Sequence, residues 1–382
     1  MSTAYAAATG ARERSVSVPV EHPISSRGDA TLRQEETPCL GRRPARRGAV
    51  GLLHWLVLLL GMLIPTLATL QTVSIEPPLA FGILPIGGPS ESATAWRPML
   101  DDMSHALQRP IHSVSVSTYE GLAQALADKR IDLAFVSGLL ALDAVTKDHM
   151  QVIAQLSSDD RSRGYYSLLI VGKDSPIHNL DDLLRQPGRW RYAHGETLSV
   201  SGYLVPETQL FAERKLNSDT FFASVTVNNH QNNALAVANG EADVASNNTA
   251  DLQRFAKQFP DQYARLRILW KSSLIPHAVI VMRSDLAPSL RHQIIDFVTQ
   301  YAKHGRNAAS ELAKLRLIHD ISGFDPAGND TLIPFADIQY NLERRRALSA
   351  QWVSKAAMQT RLQKIDADHS QLLRRLQTTA KP

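Results

Sequence analysis

The stretch IHSVSVSTYEGLAQALADKRIDLAFVSG, residues 111–138, decides the fold. Residues 111–117 alternate apolar and polar as a half-buried strand does. Residues 119–130 place apolar side chains at helical spacing, and residues 131–138 are a short apolar strand ending at Gly138. The alternation continues outward in both directions. Upstream, LAFGILPI (79–86) has the pattern of a buried strand, and WRPMLDDMSHALQ (96–108) has helical spacing through Met99, Met103 and Leu107. Downstream follow MQVIAQLS, YYSLLIVG, LDDLLRQ and RWRYAHG, with Asn179 as the N-cap of the helix in KDSPIHNLDDLL (173–184). FASVTV (222–227), NALAVANGE (233–241), ADVASNN (242–248), LRILWKS (266–272), AVIVMR (278–283) and the helical LRHQIIDFVTQYAKH (290–304) extend it further. This order predicts an α/β protein with largely parallel sheets, in two lobes joined by chain crossings near residues 168 and 275. The first lobe then comprises residues 76–168 and 276–337, and the second residues 169–275. A charged helical extension, residues 338–382, carries an apolar trace at Leu342, Leu348, Trp352 and Ala356.

Residues 1–48 are rich in Ala, Ser, Thr and Arg without apolar periodicity, which predicts an unfolded basic segment. GRRPARRG (41–48) then precedes the apolar run AVGLLHWLVLLLGMLIPTLATL (49–70). Two readings fit this layout. One is a secretory signal cleaved near Ala68; the other is a retained membrane anchor with its basic flank in the cytoplasm. Either sends the body of the chain to the periplasm. The chain has 382 residues, a formal net charge of +4 and one cysteine, Cys39. A single cysteine excludes an intrachain disulfide and a Cys-rich metal site. The body of the chain holds no basic stripe with interleaved aromatics, so no nucleic-acid partner is expected.

HGETLSVSGYLVP (194–206) sets Ser199, Ser201 and Gly202 between an apparent strand and an apparent helix. These residues suit a helix N-cap. They also suit an anion site, where hydroxyls join the free N–H groups and the positive dipole end of a helix. NNHQNNALAVANGEADVASNNTADL (228–252) is dense in amides: His230 stands where a strand closes and a helix opens, and Asn247, Asn248 and Thr249 end the next strand. Strand ends of open α/β sheets bind ligands, and turn or cap residues have the same composition. There is no GxSxG elbow, Walker loop, HExxH, or GxGxxG after a strand, so neither an enzyme nor a cofactor site is expected. His194 and Glu196 would share a strand face but have no third ligand, so no metal is expected.

Five stretches carry a resemblance: STYEGLAQAL (117–126), RGYYSLLIVGKDSPIHNLDDLL (163–184), SVSGYLVP (199–206), HQNNALAVANGEADVASNNTADL (230–252) and LRILWKSSLIP (266–276). From about Leu79 to about Ile338 the chain resembles the phosphonate-binding periplasmic components of ABC importers, a branch of the bilobed periplasmic binding proteins. The resemblance implies that Tyr119 and Tyr165 donate hydroxyls to phosphonate oxygens. It implies further donors from Ser199, Val200 and Ser201, standing where the family has Ser-Thr-Ser, and from His230. Val200 lacks the central hydroxyl but keeps its N–H. Relatives that bind aminoalkylphosphonates hold the amine with two carboxylates, and those positions are Ala250 and Ala278 here. A ligand without an amine is therefore expected: phosphite, phosphate or a short alkylphosphonate. The resemblance also implies hinged closure, a membrane ABC permease as partner, and homodimer contacts in the C-terminal helices. A membrane-anchored sensory module for a similar anion is the other function that fits.

Overall fold

The structure is a computed structural model and describes residues 76–86, 88–158, 164–318 and 321–378. The expectations for residues 1–48 and 49–70 lie outside the described residues. Along the chain the strands are β1 (Leu79–Ile83), β2 (Ile111–Ser115), β3 (Leu133–Val136), β4 (Met150–Ser158), β5 (Gly164–Gly172) and β6 (Arg191–His194). They continue with β7 (Ser224–Val227), β8 (Val244–Asn248), β9 (Leu266–Pro276), β10 (Val279–Arg283) and β11 (Ile321–Pro326). The longer helices are α1 (Pro89–Leu107), α2 (Tyr119–Ala127), α3 (Gly138–Lys147), α4 (His230–Ala238), α5 (Thr249–Gln258), α6 (Pro288–Gln300), α7 (Ala308–Leu317), α8 (Ile333–Ser349) and α9 (Lys355–Thr378).

Two sheets form, in the orders β11-β4-β10-β3-β1-β2 and β7-β6-β8-β5-β9. The unit β2–α2–β3 is as its sequence requires, with β1 parallel to both β2 and β3. In the second sheet β6 is parallel to β7 and β8. The remaining pairings are antiparallel: β10 with β3 and β4, β11 with β4, and β5 with β8 and β9. The expectation of largely parallel sheets is thus corrected to mixed sheets. The cause is the double crossing. β4 and β5 carry the chain out of the first sheet and into the second, and β9 and β10 bring it back alongside them. The crossings lie between Ser158 and Gly164 and between Pro276 and Val279, so residues 168 and 275 fall inside β5 and β9. Outgoing and returning chains touch there: Leu156 N–H donates to Ala278 O at 3.0 Å. Gly164 pairs with Pro276, and a Cβ on it would lie 2.0 Å from Ile275 O, so only glycine fits that approach.

Trp96 is fully buried at the centre of the first lobe, 5.0 Å from Phe81 and 5.1 Å from Phe135, centroid to centroid. Truncating such a ring costs about 3–5 kcal/mol. In the second lobe the unbroken apolar run of β5 divides between two faces. Leu169 and Val171 pack with Tyr192, Phe211 and Phe222, while Leu168 and Ile170 pack with Val237, Ala245 and Phe255. Helices cover both faces, and this is why the strand does not alternate with polar residues.

The C-terminal helices are present. Phe335, Ala336 and Leu342 of α8 are buried in the first lobe's core, and α9 packs on α8 through Tyr340 Oη to Asp366 at 2.8 Å and Asp337 to His369 Nε2 at 2.8 Å. The end of α8 reaches the second lobe. Arg346 donates to Tyr203 Oη at 2.9 Å and lies 3.4 Å from buried Glu207, and Arg345 pairs with Glu213 at 3.2 Å. Among the described residues no helix is long and apolar enough to cross a membrane.

Candidate anion site

The site is built around the chain's turn from β6 into the helical segment that begins at Ser199. Ser199 is extended and its Oγ accepts the Gly202 N–H at 3.1 Å, as an N-cap does. The turn that follows is wide: both Tyr203 and Leu204 N–H reach Ser199 O at 3.1 Å, and Val200–Leu204 is a π-helical turn, a feature often found at functional sites. Two glycines allow this. A Cβ on Gly202 would lie 2.7 Å from Ser199 Oγ and 2.9 Å from Gly195 Cα, and Gly195 N–H donates to Gly202 O at 3.0 Å. The N–H groups of Val200 and Ser201, at the first two helical positions, have no partner in their own helix.

Other elements converge on these two serines. Tyr119 opens α2 behind its Thr118 cap, and its hydroxyl lies near enough to Ser199 for that side chain to act on it. Tyr165 opens β5 just past the first crossing. Its hydroxyl lies near enough to Ser201 for that side chain to act on it, and its ring stacks on His277 from the second crossing, centroids 6.1 Å apart. His230 opens α4 behind its Asn229 cap, with Nε2 3.2 Å from Ser201 Oγ. Its Nδ1 is buried and makes no close hydrogen bond among the described residues, although the Ser246 backbone acts on the ring. Asn248 donates to Ser201 Oγ at 3.2 Å, and Asn247 holds the His230 carbonyl at 2.8 Å. The structure therefore brings Tyr119, Tyr165, Ser199, Ser201 and His230 together.

Of the other three, Val200 was expected to offer its N–H, which stands at the helix start, and only its side chain lies elsewhere. The Val200 side chain is buried in the first lobe's core, not in the cleft. Ala250 is exposed on the first turn of α5. Ala278 sits in the second crossing with its carbonyl bonded to Leu156. Two carboxylates were not foreseen as site groups. Asp251, one residue past Ala250, turns inward. Its Oδ2 accepts from Asn248 Nδ2 at 2.6 Å and lies 3.9 Å from His230 Nε2, and its charge acts on both tyrosine hydroxyls. The carboxylate nearest the NNT run is thus Asp251, while residue 250 is alanine. Glu196, weighed only as half of a metal pair with His194, crosses the cleft to α2, while His194 Nδ1 is bonded to Gly195 O at 2.6 Å.

The pocket between the lobes is walled by Pro85, Ile86 and Tyr119 from the first and by Glu196, Ser199 and His230 from the second. No Lys or Arg is among the described residues lining it. Burial pushes the Tyr119 and Tyr165 phenols well above their usual range, so both remain protonated donors. Burial also holds His230 below the usual imidazole range, against the opposing pull of Asp251. The site thus offers hydroxyl, amide and imidazole donors at a helix start, with the Arg254 guanidinium held behind Asp251 at 3.8 Å rather than in the lining. Such a set suits a tetrahedral oxyanion.

Comparison with known proteins places this geometry. The family described as "ABC transporter, phosphonate, periplasmic substrate-binding protein" matches residues 81–332. A phosphonates-binding periplasmic protein of Escherichia coli (strain K12) is 37% identical over 228 residues, covering 60% of this chain and 67% of its own. A crystal structure of a binding protein component of an ABC phosphonate transporter from Pseudomonas aeruginosa superposes with a TM-score of 0.73 at 29% identity, over 78% of this chain and 98% of that one. The fold is shared more distantly with a Prochlorococcus marinus protein solved in complex with methylphosphonate: TM-score 0.61, 18% identity, 69% of this chain and 98% of that one.

Proposed function

Because the chain belongs to the family of periplasmic phosphonate-binding proteins of ABC transporters, we propose that it captures a small phosphorus oxyanion between its lobes and delivers it to a membrane permease. The ligand is phosphite, phosphate or a short alkylphosphonate, and no bond is made or broken. One observation carries this reading: donors from both lobes and from a crossing strand meet at Ser199 and Ser201. Tyr119 comes from the first lobe, Tyr165 from the crossing, and His230 and Asn248 from the second lobe. An anion bound there joins the lobes and favours their closure.

Asp251 favours a second reading, an aminoalkylphosphonate whose ammonium lies against that carboxylate. Calorimetric titration with phosphite, phosphate, methylphosphonate and 2-aminoethylphosphonate separates the two. The first reading expects an unaminated ligand to bind most tightly. Tightest binding of the aminated ligand selects the second, and no binding of any of them rejects both. Tyr119→Phe, Tyr165→Phe and His230→Ala should each weaken the preferred ligand by about 10- to 100-fold, the worth of one donor to a charged group. Unchanged affinity in all three variants would place the site elsewhere.

A further inference from the structure

Resting on that reading, we infer that Glu196 makes the pocket select oxyanions that bring their own hydrogen-bond donor, a P–OH group, and reject fully ionised tetrahedral anions such as sulfate. Glu196 lies in the turn after β6 and stands in the pocket wall beside Tyr119, Ser199 and His230. Its carboxylate does not point into open solvent. Oε1 and Oε2 accept the Tyr119 N–H at 3.1 and 3.0 Å, and Oε2 lies 3.4 Å from the Glu120 N. These are the first two donors of α2, on the other lobe. Thr118 caps only the third, that of Gly121, at 3.0 Å. Glu196 thus completes the cap from across the cleft.

The consequence is electrostatic. Held at both oxygens once the lobes are together, the carboxylate cannot swing away from a bound anion, and no lining Lys or Arg offsets it. Asp251 adds a second negative charge beside the same tyrosine: both carboxylates push the Tyr119 phenol up, after the larger effect of burial. An ionised oxygen set against Glu196 places acceptor against acceptor in a desolvated space, which is costly. A proton on the ligand converts the clash into a charge-assisted hydrogen bond. Phosphorus oxyanions keep such a proton up to their second ionisation, at about pH 6 for a phosphomonoester; sulfate has none to keep.

The test titrates wild type and Glu196→Gln with methylphosphonate, phosphate, sulfate and 2-aminoethylphosphonate at about pH 5 and about pH 8, either side of that ionisation. Wild type should bind the unaminated phosphorus ligands more tightly at the lower pH and sulfate at least about 100-fold more weakly. Glutamine keeps the size and one acceptor for α2. It should narrow the gap to about 10-fold or less and flatten the pH dependence. Tyr119 and His230 line the same pocket, Glu120 follows Tyr119 on α2, and Asp251 and Arg254 stand behind His230; all are present in both proteins, so the difference between them isolates Glu196. Thermal unfolding midpoints report that the variant is folded, and Glu196→Ser, also uncharged, should lose the same discrimination. Phosphorus binding with an unchanged sulfate ratio in both variants overturns the inference and leaves the functional reading standing. Wild type that takes sulfate as readily as phosphate also overturns it. Tight, pH-independent binding of 2-aminoethylphosphonate assigns the donor to an ammonium and overturns the P–OH assignment. Absence of all phosphorus binding removes the functional reading and the inference together.

Discussion

The hydroxyl of Ser201 meets Tyr165, His230 and Asn248, so its orientation is set by three neighbours rather than by its own rotamer. His230 gives that arrangement a pH dependence. Burial lowers its folded-state pKa, so the folded protein binds fewer protons there than the unfolded chain. The stability it confers is complete above the unfolded value, about 6.5, and is lost as pH falls through the lower folded value. Without ligand, wild type should therefore lose thermal stability on acidification below about pH 6.5 more steeply than His230→Gln; equal slopes would rule this out. Of the five residues brought together, Ser199, Ser201 and His230 were legible as hydroxyl and imidazole groups at helix starts, whereas Tyr119 and Tyr165 came only with the family resemblance. Asp251 was not legible, because which acid of a helix's first turn faces inward depends on the starting residue. With Asn248 as cap, Ala250 is exposed and Asp251 folds back onto the cap. Glu196 was hidden for a different reason: its partners are backbone N–H groups on the other lobe, far away in sequence.

At the scale of elements, the strand and helix periods were legible from β1 through β10 because they are local. Strand direction was not, since the apolar period of β10 is the same whichever way it runs between β3 and β4. The C-terminal helices show a similar limit. Their sequence shows charged helices but not which charges are spent within the chain, as Arg345 and Arg346 at the end of α8 are, on Glu213 and Glu207. Glu207 is 2% exposed, burial pushes its carboxyl up, and Arg346 and the Ser218 N–H at 3.2 Å are among its partners. Arg346→Met should cost about 1–3 kcal/mol, less than for a fully buried pair because the guanidinium is partly in water. Adding Glu207→Gln should recover most of the loss, since the buried charge is then gone. Denaturant unfolding of the three variants measures this, and a double variant no more stable than Arg346→Met would contradict the pairing.

Taken whole, the molecule has one lobe made from a continuous run, β5 to β9, and one made from two separate runs. Refolding should show the difference. In variants keeping a single tryptophan, the signal of Trp190 in the second lobe should recover before that of Trp96 in the first. Simultaneous recovery would mean a single cooperative step. The cause is the position of β10, the neighbour of both β3 and β4, which stand on either side of it in the sheet. Its pairing brings Val281 to Ala134, a contact so distant along the chain that it forms slowly. Until residues 279–283 have been made and inserted, β3 and β4 are open edges and the first lobe has no finished core. During that interval the growing chain presents the edges of β3 and β4 to any factor that binds unfolded polypeptide.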